Sequence, residues 1–202
     1  MASELNHIKA VVCDVYGTLA EIPNRSAPFR QLLRYAREQG CVHDQAATMI
    51  MTHPGSVREH ATRLGICLPE SVLTRLETAL SIELASVAVY RDVNPTFSEL
   101  RKHGYAIGLC SNLAEPYAKP ITEQIDIPLQ CIAWSFEVGA IKPDPAIYAW
   151  VAEQLACPLG EIIFVGDSQA ADVSGPVEAG MKARRIQRQQ GQCLADVLAG
   201  LL

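Results

Sequence analysis

Asp14, Ser111, Lys142, Asp167 and Asp172 are the residues of this chain whose types and settings could do chemistry together. Nearly all of them follow runs of apolar residues. Residues 8–13 precede Asp14, residues 105–110 precede Ser111-Asn112, and residues 161–165 precede Gly166-Asp167-Ser168, with Asp172 five residues beyond Asp167. Lys142 sits in the turn that leads from the run at 131–134 into the next helical pattern. Short continuous runs rich in β-branched residues read as strands buried on both faces. Ligands of open parallel sheets gather at the carboxyl ends of the strands. Three carboxylates, an ammonium and a hydroxyl delivered there could hold a divalent cation through hard oxygen ligands and receive an anion whose charge the lysine offsets. Each residue also has a plainer reading. Asp14 could cap the next turn, Ser111 and Asn112 could be turn formers, and Lys142 could be a solvated surface lysine. Asp167 could be a helix N-cap and Asp172 a first-turn charge favoured by the helix dipole. Gly17 permits a sharp turn after Asp14, and Pro143 and Pro145 fix the turn at Lys142; both weigh towards chemistry.

The elements that must position these residues alternate. A weaker strand is expected at 182–186, and helices at 144–157 and 170–179, the latter closed by Gly180. Asn94-Pro95 reads as the N-cap and first turn of a helix whose last turn holds Arg101, Lys102 and His103 before Gly104. Strand alternating with helix implies a parallel sheet with helices on both faces. Residues 22–89 break the rhythm with no expected strand: 29–39 is amphipathic, Ser56 to Glu59 is a capping box, and 69–89 is a long helical run opening on Pro69. The division expected is an α/β core of residues 1–21 and 90–202 with an all-helical insertion, 22–89, after the first strand.

Composition removes several function classes. The 202 residues are 49% hydrophobic and 19% charged, and 17 Lys and Arg against 22 Asp and Glu give a net charge of −5. That balance carries no electrostatic footprint for nucleic acid or for an anionic membrane surface. Apolar runs fall far short of the ~18 residues of a membrane span, and the first residues lack the pattern of a secretory signal, so a soluble cytoplasmic protein is expected. The seven cysteines form no CxxC; Cys13, Cys110 and Cys131 lie in strand-like runs as small buried hydrophobes. The histidines, at 7, 43, 53, 60 and 103, form no metal motif, although His53 and His60 could share a helix face.

Taken in order, Asp14-Val-Tyr-Gly-Thr18-Leu, Ser111-Asn112, Lys142-Pro-Asp-Pro and Gly166-Asp167-Ser-Gln-Ala-Ala-Asp172 resemble the four motifs of the haloacid dehalogenase superfamily, over residues 8–186. The resemblance implies a Rossmann-like three-layer core with a mainly parallel sheet, an all-helical cap, and a hydrolase in which Asp14 is the nucleophile of a covalent aspartyl intermediate. It further implies that Ser111 and the Asn112 backbone N–H bind an oxyanion and that Lys142 neutralises charge. Asp14, Asp167 and the Tyr16 carbonyl would hold Mg²⁺, with Asp172 supporting Lys142 or the ion's water shell. Thr18, Asn112 and Arg25 are the substrate-binding candidates, Arg25 because it lies nearest the hinge.

Two departures from the pattern pull apart. Phosphatases of this superfamily usually carry a second Asp where this chain has Tyr16; Tyr there, and Tyr148 six residues after Lys142, are similar to the metal-independent 2-haloacid dehalogenases. Those enzymes have Ser at Asp167, Asn at Gln169 and Trp at Ala171, and a cap arginine in the 44–52 region where this chain has none; Arg25, Arg30 and Arg34 lie earlier. Asp167 beside Asp14 sets two carboxylates together, which repel unless a cation bridges them. The expectation is therefore a Mg²⁺-dependent phosphatase of a small phosphorylated metabolite. A 2-haloacid dehalogenase acting through an aspartyl ester is the alternative, and a phosphate- or metabolite-binding relative without turnover is the third. The partner expected is a small anionic molecule; apolar cap helices, where exposed, would also permit a homodimer.

Overall fold

The computed structural model describes residues 7–41 and 44–202; His43 and the first six residues, considered above, lie outside them. In chain order the strands are β1 (Ala10–Cys13), β2 (Ala20–Glu21), β3 (Ala88–Val89), β4 (Ala106–Ser111), β5 (Cys131–Trp134), β6 (Ile162–Gly166) and β7 (Lys182–Arg185). The helices are α1 (Pro28–Glu38), α2 (Ala46–Thr52), α3 (Val57–Arg63), α4 (Glu70–Ala85), α5 (Val93–Lys102), α6 (Lys119–Thr122), α7 (Ser135–Val138), α8 (Pro145–Gln154), α9 (Gly175–Ala179) and α10 (Leu194–Val197). No described helix is long and apolar enough to cross a membrane.

Five strands form one parallel sheet in the order β5-β4-β1-β6-β7. The period-2 geometry of a strand divides the apolar runs between two cores. Val11, Cys13, Ile107, Leu109, Ile163 and Val165 face Phe97 and Leu100 of α5 and Leu194 of α10. Ala10, Val12, Cys110, Ile162 and Phe164 face Ile147, Tyr148 and Val151 of α8. Helix, sheet and helix thus make the three layers that the sequence predicts. The sheet places the carboxyl ends of β1, β4 and β6 side by side, so Asp14, Ser111 and Asp167 start from one edge.

Helices α1–α4 bury a third cluster of their own, built on Phe29, Leu32, Ile50, Val57, Leu73 and Leu76. The capping box predicted from sequence opens α3: the Glu59 N–H donates to Ser56 Oγ at 3.2 Å, and the Ser56 N–H donates to Glu59 Oε2 at 2.7 Å. Three expectations are corrected. The segment 22–89 does contain a strand, because β3 pairs antiparallel with β2, a two-residue ladder too short to show any periodicity. The Asn94 side chain does not cap α5, which begins at Val93; its amide instead donates to the Gln124 carbonyl and accepts from the Asp126 N–H. Residues Gln169–Ser174 wind as a wide π turn, not as the α-helix expected from 170 onward.

His53 and His60 share no face either. His53 follows the end of α2 in solvent, whereas His60, in α3, is fully buried edge-to-face against Phe29. Burial, with Arg63 donating to Nδ1 at 3.0 Å, pushes the His60 pKa down to about 4. The folded state therefore keeps His60 neutral while the unfolded chain protonates it near its ordinary ~6.5. More protons bound unfolded than folded means that stability falls as pH drops from ~6.5 towards about 4. We expect the melting temperature to decline over that window and the decline to flatten in His60→Phe; equal slopes in both proteins would remove His60 as the cause.

Candidate active site

Asp14 is the first residue past β1, and its N–H donates to the Val165 carbonyl at 2.8 Å, which fixes it between β1 and β6. Ser111, which closes β4 where sequence reasoning ended the strand at Cys110, donates from Oγ to Asp14 Oδ1 at 2.9 Å. Lys142 Nζ donates to the same oxygen at 2.8 Å and to Asp172 Oδ1 at 2.6 Å. The ammonium also stands 5.0 Å from the centroid of the Phe164 ring, with only 2% of its side chain exposed. Burial works against its charge, but Asp14 and Asp172 overcome that and hold its pKa above the usual lysine range. Burial, opposed by Lys142, raises Asp172 above the ordinary carboxylate value.

The turn that delivers Lys142 is held by Asn112. Its Nδ2 donates to the Lys142 carbonyl and its Oδ1 accepts from the Lys142 N–H, both at 2.8 Å. The Asn112 side chain is therefore a two-point clamp on the lysine's backbone, which leaves only its backbone N–H for the oxyanion role that the resemblance implies. Tyr148 braces the far side, donating to the Ala171 carbonyl at 2.6 Å and packing edge-on against Phe164.

Asp167 belongs to a different arrangement. Ser168, not Asp167, caps the turn that follows β6, accepting from the Ala171 N–H at 3.2 Å. Asp172 Oδ2 accepts from the Ser168 N–H at 2.9 Å. No other described residue donates to the Asp167 carboxylate, and burial together with the nearby Asp14 charge raises its pKa. Gly17, at φ +92°, makes room for it: a Cβ on Gly17 would lie 2.5 Å from Asp167 Oδ2. Asp14, Asp167 and Asp172 each offer an oxygen within 4.8 Å of the others. The three carboxylates, Ser111 and Lys142 are thus brought together.

The remaining candidates stand further out. Thr18 is buried with its Oγ1 3.4 Å from Asp14 Oδ2, a weak contact. The Tyr16 hydroxyl donates away from the carboxylates, to the Tyr117 carbonyl at 2.7 Å, and burial raises its pKa well above the ordinary phenol value. Arg25 is exposed and lies not at the carboxylates but on the lining of a cavity of about 400 Å³ between the core and α1–α4. Tyr16, Ile22, Phe29, Arg30, Leu33, Ile50, Met51, Glu83, Asn112 and Tyr117 share that lining.

Sequence reasoning missed two residues that organise this junction. Glu83 of α4 is buried, and its Oε2 accepts from the Ser26 N–H, Ser26 Oγ and the Ala27 N–H at 2.6–2.7 Å; Tyr117 donates to Oε1 at 3.0 Å. Burial alone would raise its pKa, yet these donors hold it below the usual value. A signal existed: Glu83 continues the buried stripe Leu73, Leu76, Leu80 at helical spacing. Arg188 donates from Nε to the Thr18 carbonyl at 2.7 Å and from Nη1 to both oxygens of Asp92. Nothing in its local sequence marks it.

Known proteins share this fold. The family model for haloacid dehalogenase-like hydrolases matches residues 8–180. A glyceraldehyde 3-phosphate phosphatase of Methanopyrus kandleri is 28% identical over 166 residues, covering 81% of this chain and 67% of that protein. A solved phosphatase of the same family from Thermococcus onnurineus superposes with a TM-score of 0.64 at 24% identity, covering 96% of this chain and 99% of that one. A family enzyme from Bacteroides thetaiotaomicron, solved with magnesium and inorganic phosphate, gives 0.65 at 17% identity, over 94% and 98% of the two chains. With the family model spanning most of its length and the sheet, carboxylates and lysine in place, this chain belongs to the haloacid dehalogenase-like hydrolases.

Proposed function

We propose that the protein is a Mg²⁺-dependent phosphatase of a small phosphorylated metabolite, acting through an aspartyl-phosphate on Asp14. The charge at the site carries this reading. Three carboxylates against one ammonium leave a formal −2 among groups in mutual reach, which a divalent cation balances. Asp167, exposed and with no donor from another described residue, is the carboxylate most open to an incoming cation. Oxygen ligands at this density suit Mg²⁺. Asp14, Asp167 and the Tyr16 carbonyl would hold the ion, and Asp172, whose oxygens already face Lys142 and the Ser168 N–H, takes the supporting place. When bound, the ion offsets phosphate charge and polarises a phosphoryl oxygen. The phosphatases among the relatives, and the neighbour solved with magnesium and phosphate, support the same reading. We also take residues 22–89 as a cap over the carboxylates, as the separate cluster of α1–α4 suggests.

The chain's own residues then have defined tasks. The Asp14 carboxylate attacks phosphorus, the ester P–O bond breaks with its electron pair on the leaving oxygen, which takes a proton from water and departs as the alcohol, and a further water cleaves the aspartyl-phosphate to release inorganic phosphate. Lys142 donates to Asp14 and offsets charge on the transferring group, and Ser111 donates to an oxyanion. Tyr16 is no proton donor to the leaving group, because its hydroxyl is committed to Tyr117 and its pKa lies above the ordinary phenol value. Substrates whose leaving group needs no proton should react fastest. Tyr16 is shared with the dehalogenase pattern, but a metal-free dehalogenase leaves Asp167 an unbalanced charge beside Asp14.

Release of p-nitrophenol from p-nitrophenyl phosphate should require Mg²⁺, stop in EDTA, and vanish in Asp14→Asn; Asp167→Asn should raise the Mg²⁺ needed for half-maximal rate at least ~10-fold. Chloride release from 2-chloropropionate that survives EDTA would instead establish the dehalogenase. Tyr16→Phe should keep kcat/KM within about threefold, because general acid–base catalysis is worth ~10²–10⁴-fold and Tyr16 supplies none. A loss of ~10²-fold in that variant would make Tyr16 the proton-transfer group.

A further inference from the structure

The cavity beside Tyr16 and Asn112 differs from the carboxylate site in chemistry. Its walls are apolar: Phe29 and Leu33 of α1, Ile50 and Met51 of α2, with Ile22 and Leu113 on the core side. The polar side chains that share the lining are nearly all engaged with protein partners. The Tyr16 hydroxyl is held by the Tyr117 carbonyl, the Tyr117 hydroxyl by Glu83, the Glu83 carboxylate by Ser26, Ala27 and Tyr117, and the Asn112 amide by the Lys142 backbone. A ligand body placed there meets mainly apolar surface, and the two phenol donors are already spent, so these groups offer mainly acceptor lone pairs and a hydroxyl it carried would regain only part of its hydration. Arg25 and Arg30 also line the cavity and have no hydrogen-bond or acidic partner among the described residues; both are exposed, so their charge is solvated and screened.

We infer that this cavity receives the organic part of the substrate and that the substrate class is a phosphate monoester with a compact, apolar body, not a sugar, polyol or hydroxy-acid phosphate. The inference rests on the phosphatase reading and adds the side of the ester that the carboxylate site does not touch. Two observations link the spaces. Tyr16 lies two residues after Asp14 and Asn112 follows Ser111, so the cavity begins where the phosphate site ends. The volume fits as well: an apolar cavity of ~150 Å³ already accepts benzene, and this one, at about 400 Å³, takes a ring or a short alkyl chain with its ester oxygen at the inner end. A hydrophobic pocket rejects an added hydroxyl only moderately, typically by ~10²-fold, which sets the scale of the preference.

The test compares kcat/KM of the full chain with Mg²⁺ for n-butyl phosphate, glycerol 3-phosphate and 2-phosphoglycolate, with acetyl phosphate as a reference too small to fill the cavity. The oxygen substituents of glycerol 3-phosphate and 2-phosphoglycolate withdraw electrons and make their alkanols better leaving groups than butanol, so a preference for n-butyl phosphate reports the body and not the chemistry. n-Butyl phosphate should exceed each of the other two by ~10–100-fold, and Met51→Gln, which places an amide on the half-buried wall, should lower that ratio at least ~5-fold. Equal rates for the three esters, with acetyl phosphate still cleaved in an Asp14-dependent way, would overturn the apolar assignment and leave the phosphatase reading standing. So would a preference for 2-phosphoglycolate, which would make Arg25 and Arg30 direct carboxylate ligands. Failure to cleave acetyl phosphate would sink both. Should Met51→Gln not fold, the substrate series on the unaltered protein decides alone.

Discussion

The buried ammonium of Lys142 is the interaction on which the site depends. An ammonium taken out of water costs several kcal/mol unless partners replace its hydration. Here two carboxylates do so, one on the first residue after β1 and one on the turn after β6, and the aromatic face of Phe164 covers a further side. The lysine itself arrives from the turn before α8. Three segments far apart in sequence are thus bound to one charge, and removing Lys142 would leave two buried carboxylates without their cation, at a cost of ~3–5 kcal/mol. The same geometry sets the ammonium 2.8 Å from the Asp14 carboxylate, the group placed to act as nucleophile. Structural and catalytic demands coincide on this one group, so the Asn112 clamp on its backbone is as much part of the chemistry as Ser111.

Close approach is the second constraint. A side chain at Gly17 would collide with Asp167, and one at Gly166 would overlap Asp172. Both glycines are therefore set by the carboxylates they face, and Gly17 also adopts a positive φ that other residues resist. The turn between them carries its own brace: Arg188, from the segment after β7, holds the Thr18 carbonyl with one nitrogen and Asp92 with another while its guanidinium lies over Tyr90. Asp92 and Tyr90 lie on the return from the helical segment. One side chain thereby joins the nucleophile turn to the point where the chain re-enters the core.

How much of this was legible depends on range. Four strands of the main sheet could be read from apolar runs such as 131–134, because a strand buried on both faces needs no partner to reveal it, whereas β7, Lys-Ala-Arg-Arg on the sheet's edge, gave only a weak signal at 182–186. Asp14, Asp167 and Lys142 could be read because strand order puts them at one edge. The β2–β3 ladder could not, since two residues show no period and only their pairing makes them strands. Asn94 misled for a related reason: its type fits an N-cap, but tertiary partners at Gln124 and Asp126 claim its amide. Ser168 likewise took the capping role that Asp167 could have filled, and that is what leaves Asp167 free to face Asp14. Arg188 was beyond any local reading, because its partners at Thr18 and Asp92 are distant in the chain.

Glu83 shows how a polar residue can make a site less polar. A buried carboxylate in the apolar stripe of α4 would be costly if left alone. It is instead surrounded by the Ser26 and Ala27 N–H groups, the Ser26 hydroxyl and the Tyr117 hydroxyl, so the bend that leads into α1 and the loop after β4 are tied to α4. Tyr117 in turn offers its carbonyl to Tyr16. The network therefore closes the donors of two phenols on protein partners. What lines the cavity is mainly ring and aliphatic surface, with Arg25 and Arg30 beside it. Water gains little by entering such a space, and the electrostatic interactions of the carboxylates and lysine next to it act in a correspondingly lower dielectric. The helical segment thus needs no catalytic group of its own to matter here: Glu83 ties it to the core through Tyr117, and the apolar side chains of α1 and α2 shape the space beside Tyr16 and Asn112.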